Sequence, residues 1–206
     1  GRAARQHGQA GEFHGVGVER FLGHADRRGA IVGQHVLGGL DRVVVNAGIA
    51  KGWHLGGGKS WANIQTIETN LIGALVQIEA SLALFKEQGR GHLVLISSVT
   101  AAKGLPGTKA AYAASKAGLS SLGESLRAEY ASGPIKVSTI EPGYIQTDLS
   151  AKSPTTPMMV DTKTGVTAMV DAIEREPGRA AVPRWPWAPV TLIMRLIPPR
   201  LAGRLA

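Results

Sequence analysis

Residues Leu95 to Gly118 read LISSVTAAKGLPGTKAAYAASKAG. An apolar run ends in Ser97 and Ser98, a connection punctuated by glycine and proline follows, and an alanine-rich segment then carries Tyr112 and Lys116. The first part reads as a buried strand and the last as a helix. Positions i and i+4 share one helix face, so the phenol and the ammonium are expected side by side. A cation beside a phenol favours the phenolate, which predicts a lowered pKa for Tyr112. A phenol tuned that way exchanges a proton near neutral pH. A serine hydroxyl close by can hold the same substrate oxygen. The pattern is machinery for moving a proton at a carbonyl or an alcohol. A lone Tyr-x-x-x-Lys is also common on solvated helix faces, so the surrounding sequence has to decide.

Working outward, DRVVVNAG from Asp41 reads as a buried strand running into a tight turn at Asn46-Ala47-Gly48. A long helix is predicted over roughly Trp61 to Gln88. Ile64, Ile67, Leu71, Leu75, Ile78, Leu82 and Phe85 keep its period, and Gly89 and Gly91 end it. HLVLISS is the second strand. KAAYAASKAGLSSLGESLRAEY is the second helix, with Leu119, Leu122, Leu126 and Tyr130 on one stripe. IKVSTIEPG is a third strand stopped by Pro142 and Gly143. VDTKTGVTAMVDAIERE is a third helix with Asp161 as its N-cap, and RAAVPRW reads as a short last strand. Strands alternating with helices predict an α/β fold, a doubly wound parallel sheet with helices on both faces.

Composition narrows the function. The 206 residues are 44% apolar, enough for one domain with a core. No apolar run reads as long enough to span a bilayer, and no signal-peptide pattern is present. Cysteine is absent, which removes disulfides and thiolate metal sites, and no metal site is expected. A net charge of +8 fits an anionic cofactor, an anionic membrane or nucleic acid. No nucleic-acid-binding signature accompanies it, so no nucleic-acid partner is expected. The expected location is cytoplasmic.

Taken in order, these motifs resemble the short-chain dehydrogenase/reductase family of single-domain Rossmann type, closely from Leu40 to Thr147 and loosely beyond. Asn46-Ala47-Gly48 matches the family's Asn-Ala-Gly turn, Asn70 its asparagine, Ser98 its serine and Tyr112-x-x-x-Lys116 its central pair. Pro142-Gly143 and Thr147 match the turn and threonine that flank the nicotinamide. The resemblance implies an NAD(P)-dependent oxidoreductase acting on a small-molecule alcohol or carbonyl. In it Tyr112 is the acid or base, and Lys116 holds the nicotinamide ribose and tunes Tyr112. Ser98 binds the substrate oxygen, and Asn70 fixes a water linking Lys116 to solvent. Asn46, Ala47 and Gly48 approach the adenosine ribose, with Asn46 bracing adjacent strands, while Pro142, Gly143 and Thr147 place the nicotinamide. Each has a plainer alternative: a helix asparagine satisfied by backbone, a strand-ending serine, an ordinary turn. Ser97 and Ser98 point opposite ways if the strand continues through them, so one of the two faces the substrate.

The chain departs from the family at its start. Residues 1–37 are an atypical segment, and 38–206 form the Rossmann-like catalytic domain with a C-terminal tail. Ile31 to Val36 is the one strand candidate in that first segment. Ala10-Gly11-x-x-x-Gly15-x-Gly17 has the spacing of a pyrophosphate-binding turn, but no apolar strand precedes it and too few residues separate it from Asn46. The sheet is therefore expected to be incomplete on its N-terminal side, with Val43–Val45 as an exposed edge, and NAD or NADP is expected to bind weakly. Sequence read out of frame before Gly38 is one explanation. Thr147 to Val160 resembles a substrate lid, with Met158 and Met159 as pocket or core residues. In the tail, Trp185 and Trp187 precede an apolar run with Arg195. That composition suits a peripheral membrane contact, or packing on the protein or on a second subunit. The alternative to an enzyme is a non-catalytic relative with a binding or membrane-associated role. A homo-oligomer is compatible with either reading.

Overall fold

The computed structural model describes residues 39–147, 158–198 and 200. Its framework is a parallel sheet of four strands in the order β1 (Arg42–Val45), β2 (Gly91–Ile96), β3 (Ile135–Pro142) and β4 (Arg179–Val182). Each strand pairs in parallel with the next, as Val45 with Leu95 and Ile96 with Ile140. Parallel neighbours need crossover connections, and helices supply them. α1 (Ser60–Ile67) and α2 (Gly73–Gln88) link β1 to β2, α3 (Ala110–Glu129) links β2 to β3, and α4 (Thr162–Glu174) precedes β4. α5 (Arg184–Leu196) follows it.

Strand alternation gives the sheet two apolar faces. Leu93 and Leu95 point one way and join Ile78, Leu82 and Phe85 of α2 and Leu119 of α3. Val94 and Ile96 point the other way and join Ile140, Val182 and Ala172 of α4. The sheet is thus doubly wound, as its alternating elements imply. Gly123 lets α3 ride close over β3, because a Cβ there would collide with the Thr139 hydroxyl. Asp161 caps α4 as read, its Oδ1 accepting from the Thr164 N–H at 3.0 Å. Gly89 ends α2 in left-handed backbone at φ 74°. β1 is an edge strand among the described residues, and its Val44 is 44% exposed.

The long helix differs from its reading. It starts at Ser60 and runs to Gln88 through a π-helical turn at Glu68–Ile72. By length and composition it is long and apolar enough to cross a membrane, contrary to the sequence reading, yet Ile78, Leu82 and Phe85 bury into the sheet core. A π turn inserts one extra residue and shifts the helical phase. Before it the buried positions are Ala62, Asn63 and Thr66, and Ile64, assigned to the core stripe, is 54% exposed.

The tail also differs, because RAAVPRW reads as a strand to Trp185, whereas β4 ends at Val182 and α5 begins at Arg184. Trp185 is extended (φ −101°, ψ 132°), so Pro186 falls in the opening turn, where a missing N–H costs little. The carbonyl that an N–H at Pro189 would have bonded belongs to that same extended Trp185.

Phe85→Ala is expected to lower unfolding free energy by about 3–5 kcal/mol, as for a fully buried aromatic. Ile64→Ala is expected to stay within about 0.5 kcal/mol. Urea unfolding of the two variants checks both, and equal losses would restore the unshifted stripe.

Candidate active site

The strand carboxyl ends bring the predicted residues to one edge of the sheet. β1 delivers Asn46-Ala47-Gly48, β2 delivers Ser97 and Ser98, and β3 delivers Pro142-Gly143. In parallel α/β sheets this edge is where ligands sit. α3 crosses behind β2 and presents Tyr112 and Lys116.

The side chain of Asn70 joins three segments here. It lies in the π turn and is fully buried. Its Oδ1 accepts from Ile49 N–H at 2.7 Å, and its Nδ2 donates to the Ile49 carbonyl at 2.9 Å. The same Nδ2 donates to Ser115 Oγ at 3.2 Å, and Ser115 Oγ donates to the Tyr112 carbonyl at 2.7 Å. Asn70 thus ties the loop after β1 to the helix that carries Tyr112. Asn46, at the end of β1, is exposed. Asn63 acts similarly about two turns earlier, accepting from Trp53 N–H at 2.8 Å.

Lys116 is buried, with 4% of its surface exposed. Its Nζ donates to the Ile96 carbonyl at 2.9 Å and lies 5.9 Å from the Tyr112 ring centroid. A Cβ on Gly48 would stand 3.4 Å from both Lys116 Nζ and Asn70 Oδ1, so the Asn-Ala-Gly turn packs against these two groups. Burial lowers the Lys116 pKa from 10.5 to about 8.

Burial pushes the Tyr112 phenol up, and a hydrogen bond with Ser98 offsets this only in part. The lowering expected from Lys116 is therefore corrected. Desolvation of the phenol outweighs the neighbouring ammonium, which is turned toward the Ile96 carbonyl. The two serines diverge. Ser98 Oγ meets the phenol and accepts from Thr100 N–H at 3.2 Å. Ser97 Oγ turns inward, donating to the Lys116 carbonyl at 2.8 Å and lying 2.8 Å from Ser120 Oγ.

Behind Ser97 runs a polar chain that the sequence reading missed. Ser120 Oγ donates to Glu141 Oε1 at 3.0 Å, and Arg179 donates to the same oxygen at 2.6 Å. Arg195 stands 3.8 Å from the other oxygen. Glu141 is buried in β3, and an ionisable residue inside an apolar strand was the available signal. The chain fastens α3 to β2, β3 and β4 at the level of Lys116.

The remaining predicted residues are more dispersed. Pro142 and Gly143 lie at the end of β3, where Gly143 makes room for the Trp187 indole. Thr147 is exposed beyond the Ile145–Val160 bridge. Met158 is exposed, while residues 148–157 of the expected lid and all of 1–38, with the Gly11–Gly17 match, lie outside the described residues. Among the described residues no cluster of His, Cys, Asp or Glu could hold a metal. A cleft of about 510 Å³ bounded by Asp171, Arg175, Arg179 and Arg184 lies apart from this cluster, beside β4.

An all-parallel, doubly wound sheet with a polar cluster at its carboxyl edge defines a Rossmann-like α/β protein. The chain belongs to the short-chain dehydrogenase/reductase family, and residues 23–158 match the family model described as short chain dehydrogenase. The match begins after Gly17 and reaches into the segment that the sequence reading set apart. An uncharacterized oxidoreductase of Mycobacterium tuberculosis is 66% identical over 170 residues, covering 82% of this chain and 67% of its own length. One from Myxococcus xanthus is 36% identical, covering 78% of this chain and 63% of its own. Among solved structures, a short chain dehydrogenase from Burkholderia cenocepacia in complex with NADP aligns with a TM-score of 0.72 at 25% identity. That alignment covers 91% of this chain and 76% of the other. The chain spans about two thirds of the curated relatives it matches.

Lys116 titrates near 10.5 in the unfolded chain and near 8 in the fold. Between those values the unfolded chain binds more protons, so stability rises with pH across the window, and the full penalty applies below it. Lys116→Met is expected to gain up to about 3 kcal/mol over the parent at neutral pH, less the lost hydrogen bond to Ile96. The gain should fade by about pH 10.5. Urea unfolding at several pH values tests this, and a pH-independent difference would show that Lys116 has the same pKa folded and unfolded.

Proposed function

We propose that this protein is an NAD(P)-dependent oxidoreductase that reduces a carbonyl or oxidises an alcohol, with Tyr112 handling the proton. The single observation that carries the proposal is the convergence of Ser98, Tyr112 and Lys116. The Ser98 hydroxyl meets the buried phenol, and the buried Lys116 ammonium lies under the same ring. Membership of an oxidoreductase family supports the reading.

The nicotinamide half of a cofactor fits what is present. Gly48 leaves its backbone open against Lys116 and Asn70, and Asn46 and Ala47 are exposed beside it. Lys116 has three donor hydrogens and meets one backbone carbonyl, which leaves donors for a ribose hydroxyl. Asn46, Ala47, Gly48, Tyr112, Lys116, Pro142, Gly143 and Thr147 are the residues proposed to hold it. The NADP in the Burkholderia cenocepacia structure is consistent with that class of cofactor. The adenosine half has no glycine-rich turn to receive it among the described residues. When bound, the cofactor supplies hydride transfer.

The residues of the chain then supply the rest. Ser98 donates to the substrate oxygen as negative charge develops there. Tyr112 donates its phenolic proton to that oxygen in reduction and takes it back in oxidation. A phenol held above its ordinary range is protonated at neutral pH, the state that donation to a carbonyl oxygen requires. Asn70 holds the Gly48 loop and α3 in register, which keeps Lys116 and Tyr112 in reach of one substrate.

Tyr112→Phe is expected to lower kcat by about 10²–10⁴-fold in reduction of a panel of aldehydes and ketones with NADH or NADPH. Cofactor affinity, read by calorimetric titration, should change little. Turnover equal to the parent would remove Tyr112 from the mechanism. A chain that binds cofactor and turns over no carbonyl or alcohol would support the non-catalytic alternative.

A further inference from the structure

α5 presents an apolar stripe to solvent. Trp185, Leu192, Ile193 and Leu196 are 79, 59, 54 and 77% exposed, and Pro189 between them is exposed too. The spacing 189, 192, 193, 196 is that of one helix face. The opposite face is anchored, because Trp187 and Thr191 are buried and Trp187 packs edge-on against Tyr144 at 5.3 Å. The stripe is therefore held outward by the fold, and a helix merely adrift would lack that anchor.

The charge within the tail itself is of one sign. From Pro177 to Ala206 the sequence has Arg179, Arg184, Arg195, Arg200 and Arg204 and no acidic residue. Arg184 opens the helix, Arg200 follows four residues after its last residue, and both are exposed. Arg179 and Arg195 face Glu141. An apolar stripe that includes an exposed tryptophan and is flanked by arginines has the composition of a helix lying in a lipid headgroup boundary. Self-pairing through this face is disfavoured. A two-fold contact is isologous and would set these arginines against their own copies with no carboxylate from the tail between them.

We propose that α5 docks flat on an anionic lipid bilayer, with Trp185, Leu192, Ile193 and Leu196 entering the boundary and Arg184 and Arg200 meeting lipid phosphates. This contact is independent of the catalytic reading, since none of these six residues belongs to the proposed active site.

The test is co-sedimentation of the full chain with vesicles of phosphatidylcholine alone and of phosphatidylcholine mixed with phosphatidylglycerol. Binding is expected to the mixed vesicles, weaker on pure phosphatidylcholine, and weakened by salt. Leu192→Ser, Ile193→Ser and Leu196→Ser combined should weaken it at least tenfold, roughly what losing the burial of three aliphatic side chains implies. The positions are exposed, so circular dichroism of this variant should match the parent. Arg184→Gln with Arg200→Gln should reduce binding to the anionic vesicles and flatten its salt dependence. No sedimentation with the mixed vesicles at low salt would overturn the proposal, as would parental binding by the triple serine variant. A parent that is dimeric in solution, with the serine variant monomeric, would also overturn it by assigning the stripe to a second copy.

Discussion

One buried amide organises the candidate site. Asn70 reaches its three partners because the helix between β1 and β2 widens into a π turn at Glu68–Ile72. A regular α-helix would carry the residue at a different rotation. Through Ile49 the amide fixes the loop next to Gly48, and through Ser115 it fixes the backbone of Tyr112. Losing it would leave the part-buried N–H and carbonyl of Ile49 without this partner and remove the link to Ser115. The local disorder in helix geometry is thus what makes the inter-element order possible.

The same logic of satisfied burial extends from Lys116. An ammonium with 4% exposure persists because Ile96 offers a carbonyl, and its lowered pKa measures the cost that remains. Around it, Ser97, Ser120, Glu141 and Arg179 form a hydrogen-bonded chain reaching from β2 to β4. Polar groups in such a chain specify one register of α3 over the sheet, since a slip would strand several of them at once. The apolar cores on either face would tolerate that slip far better, because Leu, Val and Ile contacts are less directional.

What the sequence made legible follows from how local each feature is. Helix period alone places Tyr112 and Lys116 on one face, and strand alternation alone sends Ser97 and Ser98 to different surroundings. β1 and β3 stand where runs rich in β-branched residues meet a turn carrying glycine, and Asp161 caps where a side-chain oxygen can reach a free N–H. Two features were hidden. The direction of the Tyr112 shift depends on how deeply the ring is buried, and spacing carries no information on depth. The phase of the long helix depends on a single inserted residue in its middle, so the period was right on both sides of Asn70 and the face was right on one. Glu141 sat in plain view as a charge inside an apolar strand, but its partners come from α3, β4 and α5, which a local reading cannot assemble.

α5 is packed against the β3 turn and the buried carboxylate of the sheet. The Trp187 indole lies where a side chain on Gly143 would have to go, and its ring meets Tyr144. Gly143 is therefore held to glycine by α5 as much as by its own turn. The indole N–H of Trp187 is buried with no hydrogen-bond partner among the described residues, a cost that close packing against the β3 turn must outweigh. Arg195, on the same helix, faces Glu141. So α5 touches both the turn that flanks the site and the carboxylate that anchors α3. A force applied to its outer stripe has a short path to Tyr144 and Glu141, through side chains already in contact.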